Sequence, residues 1–263
     1  MPDRRRVELI DEFMDLVREF ILKHELGYPE YQAVMKYVIS VGKAGEWPLW
    51  MDAFLESTVN TSSYGVGAWT PSAITGPYYK ENAPLLTEKP YRLPMRPDEP
   101  GKRLLFRGKV ISPDGAPVGR ALVDVWHSTN DGVYTFFDPA LPDEYLLRAR
   151  FYTDDDGSFE FLSIVPVPYQ IPSAGPTGYL METVLGRHSW RPAHLHWTIT
   201  ADRFLPLTTQ LYFEGDRYLD SDSCSAVKKD LVISLTEAGR DGAPVTSAEF
   251  EFVLQPTTER AAC

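Results

Sequence analysis

The residues best placed to do chemistry lie in Gly186-Arg187-His188-Ser189-Trp190-Arg191-Pro192-Ala193-His194-Leu195-His196, which holds three of the chain's five histidines. His194 and His196 stand at i and i+2. If Ala193 to Thr200 is a strand, side chains alternate between faces, so both imidazoles point to one side. Pro192 fits the start of such a strand, because proline cannot donate to a ladder from its middle. Two imidazoles on a rigid strand are half of a metal site, and two ligands do not fix a metal. The competing reading is a pair of histidines that happen to alternate on a half-solvated strand. A zinc hydrolase would add a third histidine or a carboxylate, and a closed structural zinc site usually needs thiolates. The chain has neither Cys-x-x-Cys nor His-Glu-x-x-His. A ferrous oxygenase would add one carboxylate, for which Asp124, Asp138 and Asp216 each qualify, and spacing does not choose among them.

The elements that must carry these residues come in two kinds. From Val7 to His24, apolar residues recur at Ile10, Phe13, Met14, Val17, Phe20 and Ile21, the 3.6-residue period of an amphipathic helix. Tyr31, Val34, Met35, Val38 and Val41 repeat that period, with Gly42 as the expected stop. A third helical stretch opens at Pro48 and runs through Val59, proline being tolerated in a first turn. Thr61 to Pro84 is loop-like, and Pro90, Pro94, Pro97 and Pro100 make the next stretch a semi-rigid connector. The period then becomes two. Strands are expected at Leu105 to Ile111, Ala121 to Trp126, Arg148 to Thr153, Ser158 to Leu162, Leu195 to Thr200, Thr208 to Phe213, Leu231 to Leu235 and Ala248 to Leu254. Ser112-Pro113-Asp114-Gly115 and Asp154-Asp155-Asp156-Gly157 supply turns. The expected fold class is α+β: a helical region over 1–89, a linker to 100, and an all-β sandwich over 101–263.

Composition narrows the function. The 263 residues include 26 Lys plus Arg against 37 Asp plus Glu, a formal charge of −11, so a phosphate backbone is not an expected partner. Aromatic residues make up 13%, which points to an aromatic-rich core or a site for flat ligands. The basic start Met1-Pro2-Asp3-Arg4-Arg5-Arg6 runs into an amphipathic pattern and is not expected to be a secretory signal. No stretch approaches the roughly 18 apolar residues of a membrane span. Cys224 and Cys263 are too few for a disulfide framework, and a cytoplasmic location is expected.

Several ordered segments carry a resemblance. They are Gly45-Glu46-Trp47-Pro48-Leu49-Trp50, Ala73 through Tyr79, Asp124 through Tyr134, Pro166-Val167-Pro168-Tyr169, Gly186 through His196, Leu207-Thr208-Thr209-Gln210, and Tyr218 through Cys224. Through them the chain resembles the intradiol ring-cleaving dioxygenases, and within these the chlorocatechol subgroup, nearly end to end. The resemblance implies a non-haem Fe(III), one per subunit, held by Tyr134, Tyr169, His194 and His196, with O₂ as co-substrate. Two phenolates and a hydroxide would balance the charge of the ferric ion. Tyr169 would also leave the metal to take a catechol proton. Arg191 and Gln210 would sit beside the ring, Arg191 steadying anionic species unless it serves only a salt bridge. Leu49, Asp52, Ala53, Ile74, Gly76, Pro77, Tyr78 and Cys224 would line the substrate site. His127 and His188 would be hydrogen-bonding supports. The implied reaction is intradiol cleavage of a chlorinated catechol to a chloro-cis,cis-muconate, without nicotinamide or flavin. Catechol and hydroxyquinol are the alternative substrates. Ser223-Cys224 stands where plain catechol dioxygenases tend to have Phe-Ala, which favours a halogenated ring. The resemblance also implies a homodimer joined through the N-terminal helices, with phospholipid between them.

Overall fold

The computed structural model describes residues 3–65, 67–139, 141–142, 144–240 and 243–257, so Cys263 lies outside the described residues. Helix α1 spans Arg4–Lys23, and Asp3 caps it by accepting the Arg5 amide at 3.1 Å. Helix α2 spans Tyr28–Ala44, and the Glu30 carboxylate reaches back to the Gly27 amide at 2.8 Å. The helix does not stop at Gly42. Gly45 takes the left-handed conformation (φ 70°), and the amides of Gly45 and Glu46 close onto the carbonyls of Gly42 and Val41. Helix α3, Trp47–Met51, passes through a π-helical turn at Asp52–Glu56 into α4, Ser57–Tyr64.

The chain forms two compact units, Met1–Trp47 and Pro48–Cys263. This division falls at the start of the third helical stretch, whereas the sequence places a boundary in the proline-rich connector. The reason is backbone pairing, which ties residues 48–100 to the sandwich: Thr70 N donates to Val253 O (2.9 Å), Ala73 N to Thr208 O (2.9 Å) and Leu86 N to Arg150 O (2.7 Å). Strand β1, Tyr91–Arg92, runs inside the expected linker and pairs with the second unit's own sheet.

The remaining strands are β2 Arg103–Ile111, β3 Leu122–Trp126, β4 Arg148–Tyr152, β5 Ser158–Ile164, β6 Tyr169–Gln170, β7 Trp190–Arg191, β8 His194–Thr200, β9 Leu207–Phe213, β10 Val232–Ile233, β11 Thr236–Arg240 and β12 Ala243–Val253. Among the described residues they form two five-stranded sheets, ordered β1-β5-β2-β12-β11 and β10-β9-β8-β3-β4, and a two-stranded ribbon of β6 and β7. Period-two alternation sends Leu104, Phe106 and Val110 from one sheet, and Leu195, Trp197 and Ile199 from the other, into a shared core. Its centre is aromatic: Phe106 and Phe252 lie 4.7 and 4.9 Å from Trp197, ring centre to ring centre. Truncating any one of these rings to alanine removes about 3–5 kcal/mol. The expected strand at Leu231 to Leu235 shrinks to Val232–Ile233, because Lys229–Leu231 first makes a 3₁₀ turn. Strands β1, β6, β7 and β10 are two residues long, too short for any period to show.

Candidate active site

Strand β8 presents Leu195, Trp197 and Ile199 to the core and His194 and His196 to its other face, each histidine 1% exposed. Cross-strand register then decides which side chains flank them. On β9, Tyr212 stands opposite His194 and Gln210 opposite His196. On β3, Trp126 stands opposite His196 and stacks on it, 4.8 Å away at 8° between planes. His194 Nδ1 lies 2.7 Å from the Pro192 carbonyl and donates to it, so Nε2 carries the ring's lone pair. The two Nε2 atoms face each other at 3.0 Å. Burial, then the nearby Arg191 charge, lowers the His194 pKa to about 3. Burial, then His194, holds His196 well below its ordinary value. Both imidazoles are therefore neutral donors at physiological pH.

Two tyrosines complete the ring of donors. Tyr169 opens β6, and its partner across the ribbon is Arg191. Tyr134 follows a tight turn in which Gly132 N donates to Thr129 O at 3.0 Å. Gly132 has φ 77°, and a Cβ there would sit 2.8 Å from Tyr169 Cβ, so only glycine lets this turn approach Tyr169. Tyr134 lies 5.5 Å from Tyr169 and 6.2 Å from His196, Tyr169 lies 5.5 Å from His194, and the two histidine rings are 4.6 Å apart. The Tyr134 phenol oxygen is buried and has no hydrogen-bond partner among the described residues. Burial raises the pKa of both phenols above the ordinary tyrosine value. Two neutral imidazoles and two converging phenols, one of them orphaned, are a donor set that fits a hard trivalent cation able to draw off the phenol protons. No group of three or more His, Cys, Asp and Glu that could hold a metal occurs among the described residues, so neither the zinc set nor the two-histidine, one-carboxylate set is assembled. Asp216 instead accepts the Ala193 amide at 2.8 Å, and Asp124 accepts the Tyr79 hydroxyl at 3.2 Å.

Arg191 is 2% exposed and fully engaged. Its Nε donates to Asp222 Oδ1 at 2.9 Å, and its Nη2 to Asp222 Oδ2 at 3.1 Å and Gln210 Oε1 at 2.9 Å. The third nitrogen, Nη1, faces His194 Nε2 at 3.3 Å. Arg191 thus forms a buried ion pair and still directs one edge at the donor ring. Gln210 spends its amide within the protein: Oε1 also accepts from Tyr212 Oη at 2.5 Å, while Nε2 donates to the Ile74 carbonyl at 2.8 Å and faces His196 Nδ1 at 3.2 Å.

The expected substrate-site residues gather on this donor ring. Ala53, Ile74 and Cys224 share one buried cluster with Tyr134 and Tyr169, and Leu49 and Tyr78 pack against it. Tyr78 stacks on Tyr134 at 4.6 Å, Gly76 lies beside His196, and Pro77 stands between them in the chain. Asp52 sits on the π-helical turn, where burial and then Glu56 push its carboxyl up to about 6. Burial pushes the Cys224 thiol up to about 12, so it is a neutral, polarizable wall group. His127 is fixed between Ser128 O and Ser163 Oγ, and His188 between Ser221 Oγ and the Trp190 amide. The sequence reading did not single out Asp222, Tyr212, Trp126 or Arg148. The Arg148 guanidinium lies over the Tyr134 ring at 5.5 Å and donates to the Tyr78 carbonyl at 2.8 Å. Asp222 lies inside a segment already noted, and Tyr212 was legible as the i+2 neighbour of Gln210. Arg148 gave no signal.

Comparison with known proteins gives the family. Residues 74–256 match the family model described as "Dioxygenase", and residues 3–64 match "Catechol dioxygenase N terminus". A chlorocatechol 1,2-dioxygenase of Rhodococcus opacus is 62% identical over 97% of this chain and 99% of its own length. The crystal structure of 3-chlorocatechol 1,2-dioxygenase from Rhodococcus opacus 1CP superposes with a TM-score of 0.87 at 40% identity, covering 96% of this chain and 99% of that one. A hydroxyquinol 1,2-dioxygenase from Pseudomonas putida DLL-E4 superposes with a TM-score of 0.88 at 29% identity, covering 97% and 93%.

Proposed function

The chain belongs to the intradiol ring-cleaving dioxygenase family, and on that premise we propose that it cleaves chlorinated catechols with O₂ to chloro-cis,cis-muconates. The observation that carries this reading is the buried set of two phenols and two imidazoles with a guanidinium edge beside it. Tyr134, Tyr169, His194 and His196 would hold a non-haem Fe(III). That ion, as a Lewis acid, would draw electron density from a bound catechol and make its ring carbon reactive toward O₂.

The chain's own residues do the rest. With the ion bound Tyr169 would stand as a phenolate, and its Oη would take a proton from the incoming catechol, so the substrate would bind as an anion. Arg191 Nη1 offers a fixed positive charge where anionic character develops, and buried donors of that kind need no reorganisation as the reaction proceeds. The other two Arg191 nitrogens donate to Asp222 and Gln210. Ile74, Ala53, Tyr78 and Cys224 form an apolar wall that excludes water from the ring. Both oxygen atoms of O₂ end in the muconate, so no external reductant is required.

The chlorinated ring rests on the Rhodococcus relative at 62% identity and on Cys224 in the wall. The backbone fold does not discriminate, since the hydroxyquinol enzyme superposes equally well. The proposal extends to a homodimer through the N-terminal helices with phospholipid between them. Its support is that Leu9, Ile10, Phe13, Leu16, Phe20 and Leu22 of α1 are all exposed. It extends also to a cytoplasmic location without membrane or nucleic-acid partners. Among the described residues no helix is long and apolar enough to cross a membrane, and the net charge is −11.

The test is a visible spectrum of the purified protein titrated anaerobically with 4-chlorocatechol. A band of iron–phenolate charge transfer should shift on binding, and admitted air should give chloromuconate with one O₂ consumed per catechol. A colourless, zinc-containing protein refutes the reading. Comparing kcat/KM for 4-chlorocatechol, catechol and hydroxyquinol decides the substrate.

A further inference from the structure

Asp222 is the hub of the contacts behind Arg191. One carboxylate, 7% exposed, accepts four hydrogen bonds: Arg191 Nε (2.9 Å) and Cys224 N (3.3 Å) on Oδ1, Arg191 Nη2 (3.1 Å) and Ala226 N (3.0 Å) on Oδ2. Two of these bonds fix the plane of a guanidinium. The other two fix the turn that carries Cys224 and Ala226, both in the buried cluster around the tyrosines. Bidentate pairing removes the freedom of the guanidinium to rotate about its own axis. With Nε and Nη2 committed to Asp222, and Nη2 also to Gln210, Nη1 is the nitrogen left to face His194. A buried ion pair is a poor source of stability, since apolar residues of equal volume commonly do as well. Its physical advantage here is orientation.

We propose that Asp222 is the positioning residue for Arg191, setting which guanidinium nitrogen faces the reacting ring and coupling that orientation to the Cys224 wall. The inference rests on the reading of Arg191 as the cation beside the catechol. It goes beyond that reading by making one carboxylate common to the charge that serves the reaction and the wall that meets the ring substituent. Burial opposes ionisation of Asp222, yet the Arg191 charge and its hydrogen bonds hold the carboxyl below its ordinary value, so the pair is ionic.

Asp222→Asn keeps the shape and removes the charge and one acceptor. In the iron-loaded protein, kcat for 4-chlorocatechol should fall about 10²-fold, the scale of a misplaced catalytic donor. KM should stay within about threefold, a loss confined to the transition state. The visible band of the substrate-free protein should be unchanged, which a collapsed site would not allow. A kcat within about threefold of wild type overturns the proposal, as does a loss of kcat matched by loss of that band. If Asp222→Asn does not fold, Arg191→Gln is compared with the double variant Arg191→Gln/Asp222→Asn. Equal kcat/KM supports action through Arg191, and a further tenfold fall in the double variant overturns it. A wild type that consumes no O₂ with any catechol refutes the functional reading itself, an outcome distinct from an active wild type with an indifferent Asp222→Asn.

Discussion

At the scale of single residues, the Tyr134 oxygen separates stability from function. A buried hydroxyl without a partner costs about 1–3 kcal/mol relative to one that is satisfied. Tyr134→Phe removes that oxygen and almost no volume. Metal-free protein should therefore unfold at equal or higher denaturant, by about 1 kcal/mol, while iron retention and the visible band fall sharply. Chemical unfolding of the metal-free form and iron analysis check the two halves. Asp52 gives a pH signature. Its carboxyl is pushed up to about 6 by burial and by Glu56, so it is neutral below that pH and charged above it. A charge arriving beside an apolar ring should raise KM for 4-chlorocatechol as pH climbs through 6. Asp52→Asn should flatten that rise, which KM measured from pH 5 to 8 would reveal.

At the scale of elements, alternation along β8 does most of the positioning. One strand sends three apolar side chains to the core and two imidazoles to the site, and β9 and β3 bring Gln210, Tyr212 and Trp126 by register alone. The turn before Tyr134 is the less forgiving piece. Gly132→Ala adds a Cβ at 2.8 Å from Tyr169 Cβ and strains a φ of 77°. It should cost about 1–3 kcal/mol and lower iron content together, readable by thermal unfolding and metal analysis. A second elemental test concerns His127, which holds β3's end to Ser163 on β5. Burial lowers its pKa to about 4 from 6.5. The unfolded state then takes up a proton first, so stability is intact above pH 6.5 and is lost as pH falls toward 4. The loss attributable to this one group is about 3 kcal/mol. His127→Gln should remove that share of the slope of unfolding free energy against pH, compared with wild type in the same metal-free state.

At the scale of the whole molecule, α1 has no buried residue and exposes apolar side chains along its length. If this face joins two copies, Leu9→Glu with Phe13→Glu should give a monomer by sedimentation. The kcat of each subunit should stay within a fewfold, because no residue of the donor ring lies before Pro48.

Local pattern was enough for much of this. The 3.6-residue period of α1 and the period of two in β2, β3, β4, β5, β8 and β9 follow from the spacing of apolar residues, which sorts the side chains of each element into faces. His194 and His196 were legible as a pair for the same reason. Other features needed distant contacts. The segment that follows the third helical stretch joins the sandwich through hydrogen bonds from Thr70, Ala73 and Leu86 to Val253, Thr208 and Arg150, which no local pattern encodes. Tyr134 and Tyr169 were named by resemblance alone, since one phenol among 14 tyrosines has no distinguishing spacing. Their convergence depends on a glycine-permitted approach and a two-residue ribbon. Arg191 was visible three positions before His194, but its orientation was decided by Asp222, 31 residues away. Periodicity reports which face of an element is buried, whereas a site is made by which buried faces meet, and only tertiary packing decides that.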